Sequence, residues 1–292
     1  MQKIAVLSVA LSVCASVAAQ AGQLGSPVDL QFIAGYDGTV QRYVQMLPAG
    51  FDPTESHDVL IALHGHGSDR WQYATNTRDE CRGARDVAGS RNMIFISPDY
   101  RASTSWMGPA AEADVVQLIG LLKSQHNVRN VILCGASMGG ASSLIFTALH
   151  PDLVDGVCSS NGTANMMEYN NPSFTSAIAA SYGGTKAQVP EQYTMRSPEL
   201  FPGQFTMPVA FTVGGNDTVV PPDSVRRLAA ELQTPGLSDV LMIDRPTGGH
   251  STSYADTVAG LEFVMNAVPE PATMGLLGLG LAALIARKPR SR

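Results

Sequence analysis

Charge is scarce in this sequence. Asp, Glu, Lys and Arg supply 15% of its 292 residues, below the usual quarter. The bases do not outnumber the acids: the formal net charge is −6, so the chain carries no electrostatic footprint for nucleic acid. Its 4 cysteines are too few for a disulfide scaffold. No repeat and no long low-complexity linker breaks up residues 23–267. Apolar residues, by contrast, reach 45%, ample for a buried core and incompatible with a wholly disordered chain. The 28 glycines and 18 prolines fit a turn-rich globular protein, not a helical bundle or a collagen.

Charge is also missing in two terminal runs. After Lys3, Ile4 to Val17 holds no acid or base, and Ala18, Ala19, Gln20 and Ala21 follow. A basic start, a short apolar run and an A-x-A-like end describe a secretory signal peptide over residues 1–21, cleaved after Ala19 or Ala21. The run is shorter than the ~20 residues of a permanent membrane anchor. Cys14 suggests lipid attachment, but Val13 stands where such signals want a small residue. At the other end, Val268-Pro269-Glu270-Pro271 precedes an uncharged apolar helix, Ala272 to Ala286, and then Arg287, Lys288, Arg290 and Arg292. The basic cluster favours the cytoplasmic side, leaving the bulk of the chain outside. At about fifteen residues the helix is short for a bilayer, which fits a transient signal better than a permanent span. In this order, the Pro-Glu-Pro, helix and Arg cluster of residues 268–292 resemble the PEP-CTERM signal of exported proteins in Gram-negative-type bacteria. The resemblance implies an exosortase-type partner, membrane contact through the tail before processing, and a cell-envelope or extracellular destination.

Between the ends, apolar runs alternate with helical patterns. Residues 29–47 alternate loosely and break at Gly35, Asp37 and Gly38, which predicts an antiparallel pair. The runs at Val59–Leu63, Met93–Ile96, Val131–Cys134, Val154–Cys158, Val209–Val213 and Val240–Ile243 are apolar but for Asp155 and Thr212, and each stops at a His, Gly, Ser or Asp. Such runs predict strands buried on both faces of a parallel sheet. Helical spacing spans Ala110–Leu122, Gly139–Leu149 and Ala255–Met265, and Asp223 is placed to cap a helix running to about Leu232. The alternation predicts an α/β domain over residues 22–267, with a mostly parallel central sheet, helices on both faces and strand C-termini on one edge.

The polar residues worth weighing lie at that edge. Gly135-Ala136-Ser137-Met138-Gly139 is G-x-S-x-G between a strand and a helix, the setting of a nucleophilic serine on a strained turn. The helix N-terminus would favour developing negative charge there. Ser137 needs a base. Of His57, His64, His66, His126, His150 and His250, the last lies in a glycine-rich loop between the final strand and final helix, whereas His126 and His150 sit at helix ends. The base needs an orienting acid. Asp217 follows the strand ending at Val213; Asp223 and Asp244 compete, but the first reads as a helix cap and the second crowds the strand before His250. A metal site at His64 and His66 lacks a nearby Asp, Glu or Cys to complete it.

From Leu47 to Met265 the chain resembles the α/β-hydrolase superfamily, near secreted esterases of the feruloyl or acetylxylan type and the catalytic domain of prolyl-oligopeptidase-like enzymes. Leu47 to Phe51, His64-Gly65-His66-Gly67, Pro98-Asp99-Tyr100, Gly135 to Gly140, Asp217 and His250 carry the resemblance. It implies the order nucleophile Ser137, acid Asp217, base His250. It further implies an oxyanion hole made by the backbone N–H groups of His66 and Met138. A departure from the peptidase relatives is that no propeller-sized domain precedes the hydrolase region. Residues 162–205 lie where such enzymes insert a small cap. Their aromatics, Tyr169, Phe174, Tyr182, Tyr193 and Phe201, read equally well as a pocket wall or as packing within the insertion, and Trp106 is a candidate for the pocket rim.

The expectation is an exported serine hydrolase that cleaves carboxylic esters through a Ser137 acyl-enzyme, without cofactor or metal. The alternatives are a prolyl-oligopeptidase-like peptidase and a non-catalytic surface protein of the same fold. Setting aside Lys3, Arg287, Lys288, Arg290, Arg292 and Glu270 leaves 14 basic and 24 acidic residues, a core charge of −10. That disfavours polyanionic substrates and favours neutral esters, small or polymer-borne. Cys134 and Cys158 end neighbouring predicted strands; two buried thiols suit them better than a bridge, whose geometry is demanding.

Overall fold

The structure, a computed structural model, describes residues 22–234 and 238–268. The signal-peptide segment and the C-terminal tail beyond Val268, with its expected short transmembrane helix, lie outside the described residues. Among the described residues no helix is long and apolar enough to cross a membrane.

One sheet holds β1 (Val28–Ile33), β2 (Val40–Met46), β3 (His57–Leu63), β4 (Ile94–Pro98), β5 (Val128–Ala136), β6 (Gly156–Ser160), β7 (Val209–Gly214) and β8 (Val240–Arg245). Their spatial order is β1-β2-β4-β3-β5-β6-β7-β8. The β1–β2 hairpin is antiparallel, with Ile33 opposite Val40, and β2 meets β4 antiparallel. Every later neighbour is parallel. The helices are α1 (Trp71–Thr75), α2 (Asp79–Ser90), α3 (Pro109–Gln125), α4 (Met138–Leu149), α5 (Thr175–Tyr182), α6 (Pro190–Met195), α7 (Asp223–Leu232) and α8 (Tyr254–Ala267). This is the α/β-hydrolase architecture, with a mostly parallel sheet between two helical layers.

The largely apolar runs are explained by burial on both faces. Side chains alternate along a strand. In β3, Val59, Ile61 and Leu63 pack into the layer of α3, α4 and α7, while Leu60 and Ala62 pack into the layer of α1, α2 and α8. In β5, Val131 and Leu133 face the first layer and Ile132 and Cys134 the second. Both sides being dry, no polar alternation survives in those segments.

Several elements depart from expectation. The run Val154–Cys158 enters its strand late: β6 begins at Gly156 and extends to Ser160. The Val240–Ile243 run forms β8, an edge strand only half-buried. Asp223 is not a cap; Pro222 holds the cap position, Asp223 opens the helix, and no side chain caps it. The helix α2 is unexpected: its buried face is made of small residues, Cys81, Ala84, Val87 and Ala88, between Arg82 and Arg85 and two glycines. Cys134 and Cys158 are register partners on β5 and β6, and they and Cys81 are buried free thiols. Burial pushes the thiols of Cys81 and Cys158 up to about 12.

The connection from β6 to β7, residues 161–208, contains no strand. It folds as α5, α6 and short 3-10 turns over the sheet's C-terminal edge.

Candidate active site

Ser137 sits between β5 and α4 with φ 59° and ψ −123°, a conformation that costs a non-glycine residue energy. Two glycines make the turn sterically feasible. A Cβ on Gly135 would collide with the Gly139 backbone and lie 2.8 Å from Leu63 O; one on Gly139 would run into the Leu63 carbonyl. The G-x-S-x-G spacing is thus a packing requirement: the strand end, helix start and β3 terminus meet at one point.

Ser137 Oγ is 2.9 Å from His250 Nε2, and His250 Nδ1 is 2.7 Å from Asp217 Oδ2. His250 hangs on the loop after β8, and Asp217 on the loop after β7. The Asp217 side chain is 1% exposed. Its Oδ1 accepts the backbone N–H groups of Val219 and Val220, both at 2.9 Å, which fixes the carboxylate plane and leaves Oδ2 for the imidazole. A carboxylate only accepts hydrogen bonds, so Nδ1 carries the His250 proton and Nε2 offers a lone pair to the serine hydroxyl.

The structure brings these three expected residues together and separates the rival acids. Asp244 pairs with Arg226, and Asp223 lies 3.8 Å from Arg226 at the start of α7. The other histidines are tied elsewhere. His57 lies between the carbonyls of Asp52 and Asn92, His126 contacts Gln45, and His150 pairs with Glu112. Buried His64 lies between the carbonyls of Gly65 and Asp99, and Tyr100 Oη donates to the His64 carbonyl at 2.6 Å. Burial holds the His64 imidazole below its ordinary value. These contacts pin the loop after β3. Among the described residues no group of three or more His, Cys, Asp or Glu side chains could hold a metal.

His66 and Ser137 both line a cleft of about 670 Å³, together with Gly65, Arg78, Asp79, Glu80, Phe174, Val219 and His250. Met138 is the first residue of α4, whose opening N–H groups have no intrahelical acceptor. The loop N–H groups on either side of His66 are engaged, by Gln72 Oε1 at Gly65 and by Ser103 O at Gly67.

Trp106 is not on the rim. It is wholly buried, and its Nε1–H donates to His66 Nδ1 at 3.0 Å. Its loop turns inward through left-handed backbone, where Trp106 has φ 44°. The aromatics of the insertion divide. Phe174 reaches the cleft and stands edge-on to His66; Tyr169, Tyr182 and Tyr193 are buried within the insertion, and Phe201 is exposed.

Asn161 escaped the sequence reading. Directly after β6, with φ 48°, it lines the cleft and points Nδ2 to Asp217 Oδ2 and Gly249 O, each at 3.4 Å. The available signal was its position: a polar residue immediately beyond a buried strand at the edge that carries Ser137 and Asp217.

Comparison with known proteins agrees with this fold. Residues 88–263, more than half of the chain, match the family described as the prolyl oligopeptidase family. Residues 267–291 match the PEP-CTERM protein-sorting motif, which indicates export and sorting at the cell envelope. Comparison with curated proteins found no match. Among solved structures, the fluorophosphonate-binding serine hydrolase F of Staphylococcus aureus is 14% identical with a TM-score of 0.64, covering 85% of this chain and 100% of that one. A ferulic acid esterase is 16% identical with a TM-score of 0.64, covering 84% and 98%. The acylaminoacyl peptidase of Pyrococcus horikoshii is 15% identical with a TM-score of 0.67, covering 85% and 43%. At such identities the likeness establishes the fold. The chain spans less than half of the peptidase it overlays.

Proposed function

This chain belongs to the prolyl oligopeptidase family of serine hydrolases, and on that premise we propose that it is an exported hydrolase of carboxylic esters working through a Ser137 acyl-enzyme. The observation that carries the reading is the hydrogen-bonded chain Ser137–His250–Asp217 on a strained strand-to-helix turn. His250 takes the hydroxyl proton as Ser137 Oγ attacks the ester carbonyl carbon, and Asp217 stabilises the imidazolium that forms. The carbonyl oxygen becomes an oxyanion facing the N–H groups of His66 and Met138. Losing one such donor typically costs about 2.7–4 kcal/mol. The tetrahedral intermediate collapses, His250 returns the proton to the departing alkoxide, and the alcohol leaves. Water then repeats the sequence on the acyl-serine, releasing the acid and restoring Ser137. The cycle requires no cofactor.

Ester cleavage is favoured over peptide cleavage by three features. The cleft has one aromatic wall, Phe174, beside the apolar Val219. The core charge of −10 suits a neutral substrate. A ferulic acid esterase overlays 84% of this chain with 98% of its own length. The peptidase reading draws on the family and on the likeness to an acylaminoacyl peptidase. The tail adds an exosortase-type sorting enzyme as the partner before processing.

The test is turnover of p-nitrophenyl acetate and butyrate by wild type and Ser137→Ala, beside chromogenic Pro-containing peptides. Ester turnover lost in the variant, with peptides untouched, is the expected result. Equal rates in wild type and variant would sink the serine mechanism. Peptide cleavage without ester cleavage would replace the substrate class.

A further inference from the structure

Residues 99–108 join β4 to α3, and four of their side-chain-bearing residues occupy left-handed backbone: Tyr100, Arg101, Trp106 and Met107, at φ 31°, 87°, 44° and 54°. Such conformations persist only where surroundings over-determine them. Tyr100 is held at the His64 carbonyl and Arg101 by Asp37 and Asp114, whereas at Trp106 and Met107 the restraint comes from the insertion. Three successive carbonyls of the loop each receive a donor from it. Ser105 O accepts from Ser181 Oγ, Trp106 O accepts from Tyr182 Oη at 2.9 Å, and Met107 O accepts from Arg196 Nε at 2.7 Å. Tyr182 and Arg196 are buried, and the guanidinium stacks over the Tyr182 ring at 5.2 Å.

What the strained loop delivers is the indole of Trp106. Its Nε1–H meets His66 Nδ1 at 3.0 Å, while Phe174 packs against both rings at 5.5 Å and 4.6 Å. An indole N–H can only donate, so this bond demands a lone pair on Nδ1. The imidazole must then hold its single proton on Nε2, and the imidazolium is incompatible with the bond. Burial and the neighbouring His64 act in the same direction, holding His66 below its ordinary value.

We infer that Trp106 is a positioning residue: it locks the His66 ring in the Nε2–H tautomer and thereby fixes the loop whose backbone N–H faces the oxyanion. The insertion acts on the reaction through this link, from Tyr182 and Arg196 to Trp106 to His66. The inference rests on the reading of Ser137 as nucleophile and His66 as oxyanion donor. A displaced donor weakens the transition state more than the bound substrate, so its signature is a fall in kcat with KM held.

The experiment uses the full chain with 15N-labelled histidine. The His66 signals, assigned by their loss in His66→Gln, should show an unprotonated Nδ1 and a protonated Nε2 at neutral pH. In Trp106→Phe, which keeps a ring and removes the donor, both tautomers should appear, and kcat should fall about 10-fold with KM within twofold. A protonated Nδ1 in wild type would overturn the proposal whether or not the variant folds. So would a folded Trp106→Phe whose kcat stays within twofold of wild type. Fluorophosphonate labelling separates this from failure of the underlying reading: wild type that does not label at Ser137 but keeps the nitrogen pattern condemns the catalytic assignment, not the tautomer lock.

Discussion

The sheet edge and the insertion above it are held by different kinds of bond. At the edge, backbone braces backbone: Ser137 N donates to Ser160 O, Asn161 N to Thr212 O, and Asn216 N to Gly248 O, at 2.8 to 2.9 Å. Each turn bearing a site residue is therefore tied to its neighbouring strand or loop by groups that every residue type carries. In the insertion, residues 162–207 have no such backbone ties to the sheet edge. Side chains hold them. Arg196 reaches Met107 O, Gln192 and Glu112; Ser197 Oγ accepts from the N–H groups of Met166 and Met167; and Lys186 Nζ donates to Met167 O and Tyr169 O. The edge should therefore tolerate changes of side chain that abolish chemistry, while the insertion should fail structurally when one anchor is removed.

The largest effect expected from this contrast is at Asp217. Asn keeps an oxygen for the Val219 and Val220 N–H groups, so the edge stays folded, but it no longer orients His250 in the required tautomer. Asp217→Asn should lower kcat by about 10⁴-fold with little change in the unfolding midpoint. A loss under tenfold would break the assignment.

Arg196→Ala should do the reverse. It strips a buried guanidinium, 1% exposed, from Glu112, Gln192 and the Met107 carbonyl. Glu112 is 22% exposed and keeps His150, so the loss falls mainly on the buried Met107 carbonyl and costs about 1–3 kcal/mol; in a domain of this size each kcal/mol moves Tm by about 2–4 °C. Thermal unfolding reads this directly. A drop smaller than about 1 kcal/mol would mean the insertion does not depend on its side-chain anchors.

The smallest effect lies at the joint between the two regions. Asp114, on α3, pairs with Arg101 of the strained loop. Burial, outweighing Arg101, raises its carboxyl to about 6, from 3.8. The folded state then holds this proton more tightly than the unfolded chain. The group's contribution to stability is most favourable at low pH, declines as pH rises from about 4 to about 6, and is constant above that. Asp114→Asn should flatten this limb in denaturant titrations at pH 4.5 and 7.5. An unchanged slope would assign the limb to other carboxylates.

The same contrast governs how much could be read in advance. Runs such as Val59–Leu63 and Val209–Val213 were legible because a strand dry on both faces leaves no alternation, and each ends where the edge begins. Ser137 was legible because its turn admits only glycine at positions 135 and 139. His250 and Asp217 followed from their positions in a known chain order. The insertion was less legible: its contacts join residues such as Trp106 and Tyr182 or Met107 and Arg196, 76 and 89 positions apart, which no local pattern reveals. Trp106 was therefore expected on a rim and lies in the core beneath His66. Asp223 was misread as a cap because Asp is a strong cap residue, although Pro222 already occupied the site. The export signals were read from the order of charged, apolar and small residues and, for the tail, from a resemblance; the tail matches a sorting motif, and the N-terminal segment lies outside the described residues.

The central claim is that His250 and Asp217 activate Ser137 as a nucleophile. Intact-mass and peptide mapping after treatment with a fluorophosphonate probe tests it most directly. The expected result is one adduct, on Ser137, formed rapidly by wild type and lost in both Ser137→Ala and His250→Ala. An adduct on another residue, or labelling of Ser137 at the same rate without His250, would contradict it.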